Sequence, residues 1–229
     1  MRFLYIVITE SFLLFSGISF SQTFLQPNYG LKSHETLVIN KVELTSTAAT
    51  FFMSIENRIQ NGNFCADKNI FIVYPDGTRS KLVSSENIPV CPDTHKFKES
   101  GENLDFTLTF PPLKPGTEWI DLIEDCSDNC FSFYGVTLDN DLNRKIDDAF
   151  SLYGNDEPVK AMVSFIDITE AVDKKNLGIE GFLYMNIIRL EKQNGNEMKA
   201  AQWYTRLKLS GAPRLQQYLK YLNDQGIKY

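Results

Sequence analysis

Histidine is nearly missing from this chain: His34 and His95 are the only two in 229 residues. Two imidazoles are too few for a zinc site without help. They also give no Ser-His-Asp set that can be assembled from the sequence. A glycine-rich phosphate loop is absent as well, which removes the common nucleotide-binding motifs. Basic residues are not in excess. Lys and Arg number 23 against 29 Asp and Glu, for a net charge of −6, so nucleic acid is excluded as a partner for the whole molecule. Long apolar runs are lacking too. The one candidate, at the start of the chain, is interrupted by Glu10 and is too short for a good membrane span. No cofactor and no metal are expected.

That first stretch has another reading. Arg2 followed by Phe-Leu-Tyr-Ile-Val-Ile, and then Phe12 to Phe20, has the charged and apolar regions of a signal peptide over residues 1–21. Cleavage after Ser21 would leave Gln22 first; an uncleaved anchor or a buried helix are the alternatives. No cysteine lies near enough for a lipid anchor. The expected location is secreted or periplasmic, with no stable membrane span after cleavage. The four cysteines, Cys65, Cys91, Cys126 and Cys130, agree with export and read as two disulfides with three possible connectivities. Cys126 and Cys130 flank Ser-Asp-Asn, a tight-turn sequence, and a bridge there leaves Cys65 for Cys91. A redox-active Cys126/Cys130 pair is the competing reading. The carboxylates of Asp121, Glu124, Asp125 and Asp128 nearby disfavour a thiolate, which argues for a structural bridge.

From Leu37 to Leu138 the apolar pattern has a period of two. Leu37 and Ile39, then Val42 and Leu44, alternate; Ala49, Phe51, Met53 and Ile55 share one face. Ile70 to Tyr74 is a continuous apolar run, as for a strand buried on both faces. Pro75-Asp76-Gly77-Thr78 then turns the chain into a hairpin. Phe106 to Phe110, Trp119 to Glu124 and Phe131 to Leu138 complete about seven strands, the count of an immunoglobulin-like sandwich. Pro111-Pro112 cannot donate to a ladder and fits an edge or a crossover between sheets.

Past Leu138 the period becomes helical. Leu142, Ile146, Phe150 and Tyr153 lie on one face of a first helix, and four more follow, starting near Asp156, Ile179, Met198 and Pro213. Asp139, Asp141 and Asn143 mimic part of a calcium loop, but Arg144 replaces the required Gly and Phe150 the bidentate Glu. Capping of the first helix, for which Asp139, Asn140 and Asp141 compete, is the simpler reading. The fold class is therefore α+β, an N-terminal antiparallel Ig-like β-sandwich over 22–138 followed by antiparallel α-helical hairpins over 139–229.

The helices repeat. Gly195-Asn196, Ala200, Tyr204 and Leu207 echo Gly154-Asn155, Ala161, Phe165 and Ile168, with two extra residues after Asn155. Together with Tyr184, Asn186, Ile187 and Pro213 this resembles the tetratricopeptide repeat, a helix-turn-helix of about thirty-four residues. Ile188 and Glu191 depart from its pattern. The stretch from Leu37 to Leu138 is similar to an uncharacterised exported sandwich domain of Gram-negative bacteria that carries no assigned activity. The tetratricopeptide resemblance implies a groove lined by the first helix of each repeat, and so Met185, Asn186, Arg189 and Lys192, with Lys220 on the next helix, as partner-binding residues. Charge is divided to match. Glu118 to Glu157 holds eleven acidic residues against Arg144 and Lys145, whereas Gly181 onward holds eight Lys and Arg against three acidic residues. These are either two solvated faces or surfaces that dock on each other or on an anionic partner. Two functions are compatible with these features. One is a non-catalytic exported binding or adaptor protein that meets another envelope or secreted protein or peptide. The other is a thiol-disulfide redox protein or other envelope enzyme accessory using Cys126 and Cys130.

Overall fold

A computed structural model describes residues 21–172 and 178–229. The expected signal segment, apart from Ser21, and the last residues of the second helix, which the sequence pattern carries to Lys175, lie outside the described residues. Among the described residues twelve strands precede five helices, an α+β arrangement.

Two five-stranded antiparallel sheets face each other. The first has the order β1 (Gln22–Leu25), β3 (Leu37–Leu44), β4 (Ala49–Glu56), β10 (Asn103–Phe110), β8 (Ser84–Glu86). The second has β2 (Leu31–Lys32), β12 (Ser132–Thr137), β11 (Trp119–Glu124), β6 (Ile70–Val73), β7 (Arg79–Lys81). A small ribbon pairs β5 (Asn63–Phe64) with β9 (His95–Lys96). Alternation decides which side chains go inside. On β4, Phe51 and Met53 face Leu108 and Phe106 of β10 in register, and all four are buried. Phe51 also meets Phe110 edge-on at 5.6 Å. The segment containing Pro111-Pro112 carries the chain from β10 in the first sheet to β11 in the second.

The strand buried on both faces is not the expected one. In β6 only Ile70 and Ile72 are fully buried; Phe71 is half-buried beneath Arg79 at 5.2 Å and Lys81 at 5.9 Å. Double burial falls instead on β11 and β12, because the helices pack on their outer face. Local sequence cannot announce such a cover.

The helices are α1 (Asn140–Gly154), α2 (Pro158–Val172), α3 (Glu180–Gln193), α4 (Glu197–Leu209) and α5 (Leu215–Asp224). Asp139 starts α1 by accepting the amides of Asp141 at 2.9 Å and Leu142 at 3.1 Å. The α1–α2 and α3–α4 connections are built alike. Each helix ends with a left-handed residue, Asp156 (φ 63°) or Gly195 (φ 75°). In each, two amides fold back onto the last turn: Asp156 and Glu157 to Tyr153 and Leu152, Gly195 and Asn196 to Lys192 and Glu191. This corrects the alignment of the repeats. Asp156, not Gly154, is the counterpart of Gly195, so no extra residues are needed. One constant spacing then relates Asp156 to Gly195, Ala161 to Ala200, Phe165 to Tyr204 and Ile168 to Leu207.

A β-bulge prepares the junction between the layers. Opposite Asp121, β12 carries one residue too many, so Tyr134 and Gly135 share the place of one. The Gly135 amide, outside the ladder, donates to Asp121 Oδ1 at 2.8 Å. Gly135 has φ 65°, and a Cβ there would sit 2.3 Å from the Gly178 carbonyl oxygen. Gly178 in turn has φ 68°, and its Cβ would strike the Trp119 indole at 2.6 Å. Tyr218 of α5 fills the space between Gly30 and Gly181, where any side chain would collide with its ring or hydroxyl. Arg214 completes the contact. It pairs with the second oxygen of Asp121 and lies over the Tyr134 ring at 4.0 Å. The basic segment thus touches the acidic one at a buried point, reinforced where Asn28 donates two hydrogen bonds to Asn143, its backbone amide to Oδ1 at 2.8 Å and its side-chain amide to the carbonyl at 3.3 Å.

Candidate protein-binding face

The five residues expected to meet a partner do not share one surface. Met185 is buried in the helical core. Asn186 is also buried, with its amide donating to the Phe182 carbonyl at 2.9 Å in its own helix, and it lines the same small pocket as Arg189. Lys192 forms an ion pair with Glu197 at 2.6 Å and stands 5.9 Å from the Tyr229 ring centroid. Lys220 pairs with Asp224 one turn on, at 2.6 Å, and is well exposed. Arg189 remains. Its guanidinium is exposed, rests 5.9 Å from the Tyr221 ring centroid, and has no carboxylate within ion-pair distance among the described residues.

Arg189 forms the rim of a small pocket of about 50 Å³ between α1 and α3. Phe165, nearly fully buried, belongs to its lining, together with Leu190 and the half-exposed Phe150 and Tyr153. Phe150 meets Phe165 edge-on at 5.1 Å, and the Tyr153 hydroxyl reaches Gln193 at 3.4 Å. The sequence reading places Phe150 and Tyr153 in the core stripe of α1. In the structure Leu142, Ile146 and Ala149 are fully buried and these two aromatics stand at its edge. Nothing in the sequence singles out Tyr221 and Tyr229; their only signal is an aromatic among polar neighbours, which many structural tyrosines share.

Other candidate chemistry is used up structurally. Cys126 is joined to Cys130 and Cys65 to Cys91, with Cα separations of 5.6 and 5.3 Å. The first bridge closes the β11–β12 turn among exposed Asp125, Asp128 and Asn129, and no cysteine among the described residues is free. Buried Glu124 supports both loops, accepting the amides of Asp67 at 2.6 Å and Phe131 at 2.9 Å. Its burial pushes its carboxyl above the ordinary range. The calcium-like triplet is dispersed. Asp139 caps α1, Asp141 pairs with Arg144 and Lys145, and Asn143 binds Asn28 and the Thr137 carbonyl. His34 hydrogen-bonds Ser33 at 2.8 Å, and partial burial lowers its pKa despite a bond with Asn129 that opposes the shift. His95 faces Glu102 at 3.7 Å. No group of three or more metal-ligating side chains gathers among the described residues, and no described helix is long and apolar enough to cross a membrane.

Comparison with protein-family models, with curated proteins and with solved structures found no match.

Proposed function

We propose that this chain is an exported, non-catalytic binding or adaptor protein of the bacterial envelope. The sandwich is its support, and the helical layer meets an acidic segment of another envelope or secreted protein. The observation that carries this reading is Arg189, an exposed cation with no carboxylate partner among the described residues, beside an aromatic pocket. Arginine with aromatic neighbours is the composition of energetic hot spots in protein interfaces. An acidic side chain would pair with the guanidinium while an adjacent apolar group enters between Phe150 and Tyr153. The repeat-like spacing of the two hairpins supports the reading, although it is longer than in tetratricopeptide proteins. Two disulfides support an oxidising compartment. The redox alternative draws no support from the surroundings of Cys126 and Cys130, where carboxylates would disfavour a thiolate.

A photo-activatable residue placed at position 154 or 193, exposed beside the pocket so that Arg189 and Phe150 stay intact, tests this in the native envelope, with position 81 on the sandwich edge as control. One discrete adduct from the helical positions and none from the control is expected. Equal labelling from all three, or none, would overturn the proposal.

A further inference from the structure

Beyond α5 the chain folds back onto α3 and α4, and its manner of doing so is specific. Gly226 takes φ 76°, its amide donates to the Asn223 carbonyl, and the Ile227 amide donates to that of Leu222, both at 2.9 Å. This helix-ending motif buries Ile227 near Leu222 and redirects the last two residues. Tyr229 then lands on the second hairpin. Its ring meets Tyr204 edge-on at 5.6 Å, its hydroxyl donates to Glu197 Oε2 at 2.6 Å, and its backbone carbonyl accepts from Lys208 Nζ at 2.9 Å. Lys192 stands over the ring and also holds Glu197. Partial desolvation, and then the bond to Glu197, push the phenol up to about 12, so it stays a donor at every physiological pH. Tyr229 as a whole nonetheless remains 40% exposed. Residues 228 and 229 belong to no helix or strand, and exposed polar contacts of this kind are individually weak.

We infer that residues 227–229 form an autoinhibitory strap: they fill, in cis, a seat on α3 and α4 that accepts a tyrosine-bearing segment, and a partner must displace them. The ligand class is read from the occupant: an aromatic ring against Tyr204, a phenol donor for Glu197 and a backbone acceptor for Lys208. This rests on the reading that the helical layer receives a protein, and it connects Lys192 to that layer. The seat can still be tested without any partner, so the two ideas fail separately.

Tethering gives the strap an effective concentration of roughly millimolar, so a seat occupied in cis should bind the same segment in trans with a Kd of about 1 mM or below. The probe is the acetylated, amidated peptide of residues 223–229, titrated against the Tyr229→Ala chain and the unaltered chain while amide NMR shifts are recorded. Saturable shifts at Glu197, Tyr204 and Lys208 are expected on the variant, with binding to the unaltered chain weaker by about twofold at a Kd near 1 mM and by roughly tenfold at a Kd near 0.1 mM. A peptide carrying Tyr229→Phe should bind more weakly, because it lacks the donor to Glu197. Should Tyr229→Ala impair folding, the Tyr229→Phe chain keeps the ring and should admit the peptide more readily than the unaltered chain. No saturable binding to either variant, or equal binding to altered and unaltered chains, would overturn the strap. Photo-labelling beside Arg189 could still succeed in that case.

Discussion

Removing Arg214 isolates a buried carboxylate. Asp121 has 6% of its side chain exposed and two hydrogen-bond partners among the described residues, the Gly135 amide and the Arg214 guanidinium. In Arg214→Ala the carboxylate keeps one of them. Breaking a buried pair by removing one partner costs roughly 3–5 kcal/mol. Arg214 itself is 22% exposed, so screening brings the expected cost to about 3 kcal/mol. Two further effects are smaller. Lost stacking on Tyr134 adds about 0.5–1 kcal/mol. Alanine at a position with φ 58° carries the same left-handed strain as arginine, so backbone strain cancels. For a chain of this length the combined loss of about 3.5–4 kcal/mol should lower the Tm by roughly 7–16 °C. Asp121→Leu with Arg214→Met, which removes both charges, should lie within about 1–2 kcal/mol of the original. The assay is urea unfolding followed by circular dichroism on the single and double variants. A double variant whose loss equals the sum of the single losses would refute the reasoning, because it would mean that the two groups do not depend on each other.

The remaining predictions concern the same junction and its supports. Burial raises the pKa of both Asp121 and Glu124 in the folded chain. Their contribution to stability is therefore fully present below the unfolded values near 4, and it is lost as pH rises through the raised values. On acidification from neutral pH the unaltered chain should gain stability relative to Glu124→Gln, and denaturant titrations giving the opposite slope would contradict this. Gly178→Ala combines left-handed strain with a collision against Trp119 and should cost roughly 3 kcal/mol or more. Gly195→Ala, in open space, should cost only about 1–2 kcal/mol by thermal unfolding. Removing the Cys65–Cys91 bridge, which spans 26 positions, should cost about 3.5 kcal/mol, and the short Cys126–Cys130 bridge about 2 kcal/mol. Paired serine variants compared by urea unfolding check the ranking.

Much of the fold lies in local pattern. The alternation of Phe51, Met53 and Ile55, and of Phe106, Leu108 and Phe110, marks strands whose partners the structure confirms as adjacent. The change of period after Leu138 places the first helix, and Asp139 can be read as its cap. The unreadable part is tertiary. The outer faces of Trp119 and Asp121 are buried because α5 and the turn at Gly178 reach them from far along the chain. Helical phase is the weak point at the surface. Carrying residues over by resemblance selects Met185, which is buried in the helical core, and Asn186, which is buried at the floor of the pocket that Arg189 rims. Arg189 is legible because it holds the exposed phase of α3; the placement of Tyr221 and Tyr229 depends on packing that no spacing encodes.

The central claim is that the helical layer, through Arg189, receives a partner while the sandwich supports it. Its most direct test is the affinity of a photo-captured partner for the chain carrying Arg189→Glu, with Lys81→Glu on the sandwich edge as the comparison. Charge reversal at a central contact should weaken binding by roughly thirtyfold or more, about 2 kcal/mol, while Lys81→Glu leaves it unchanged. Equal affinities for the two variants would contradict the account.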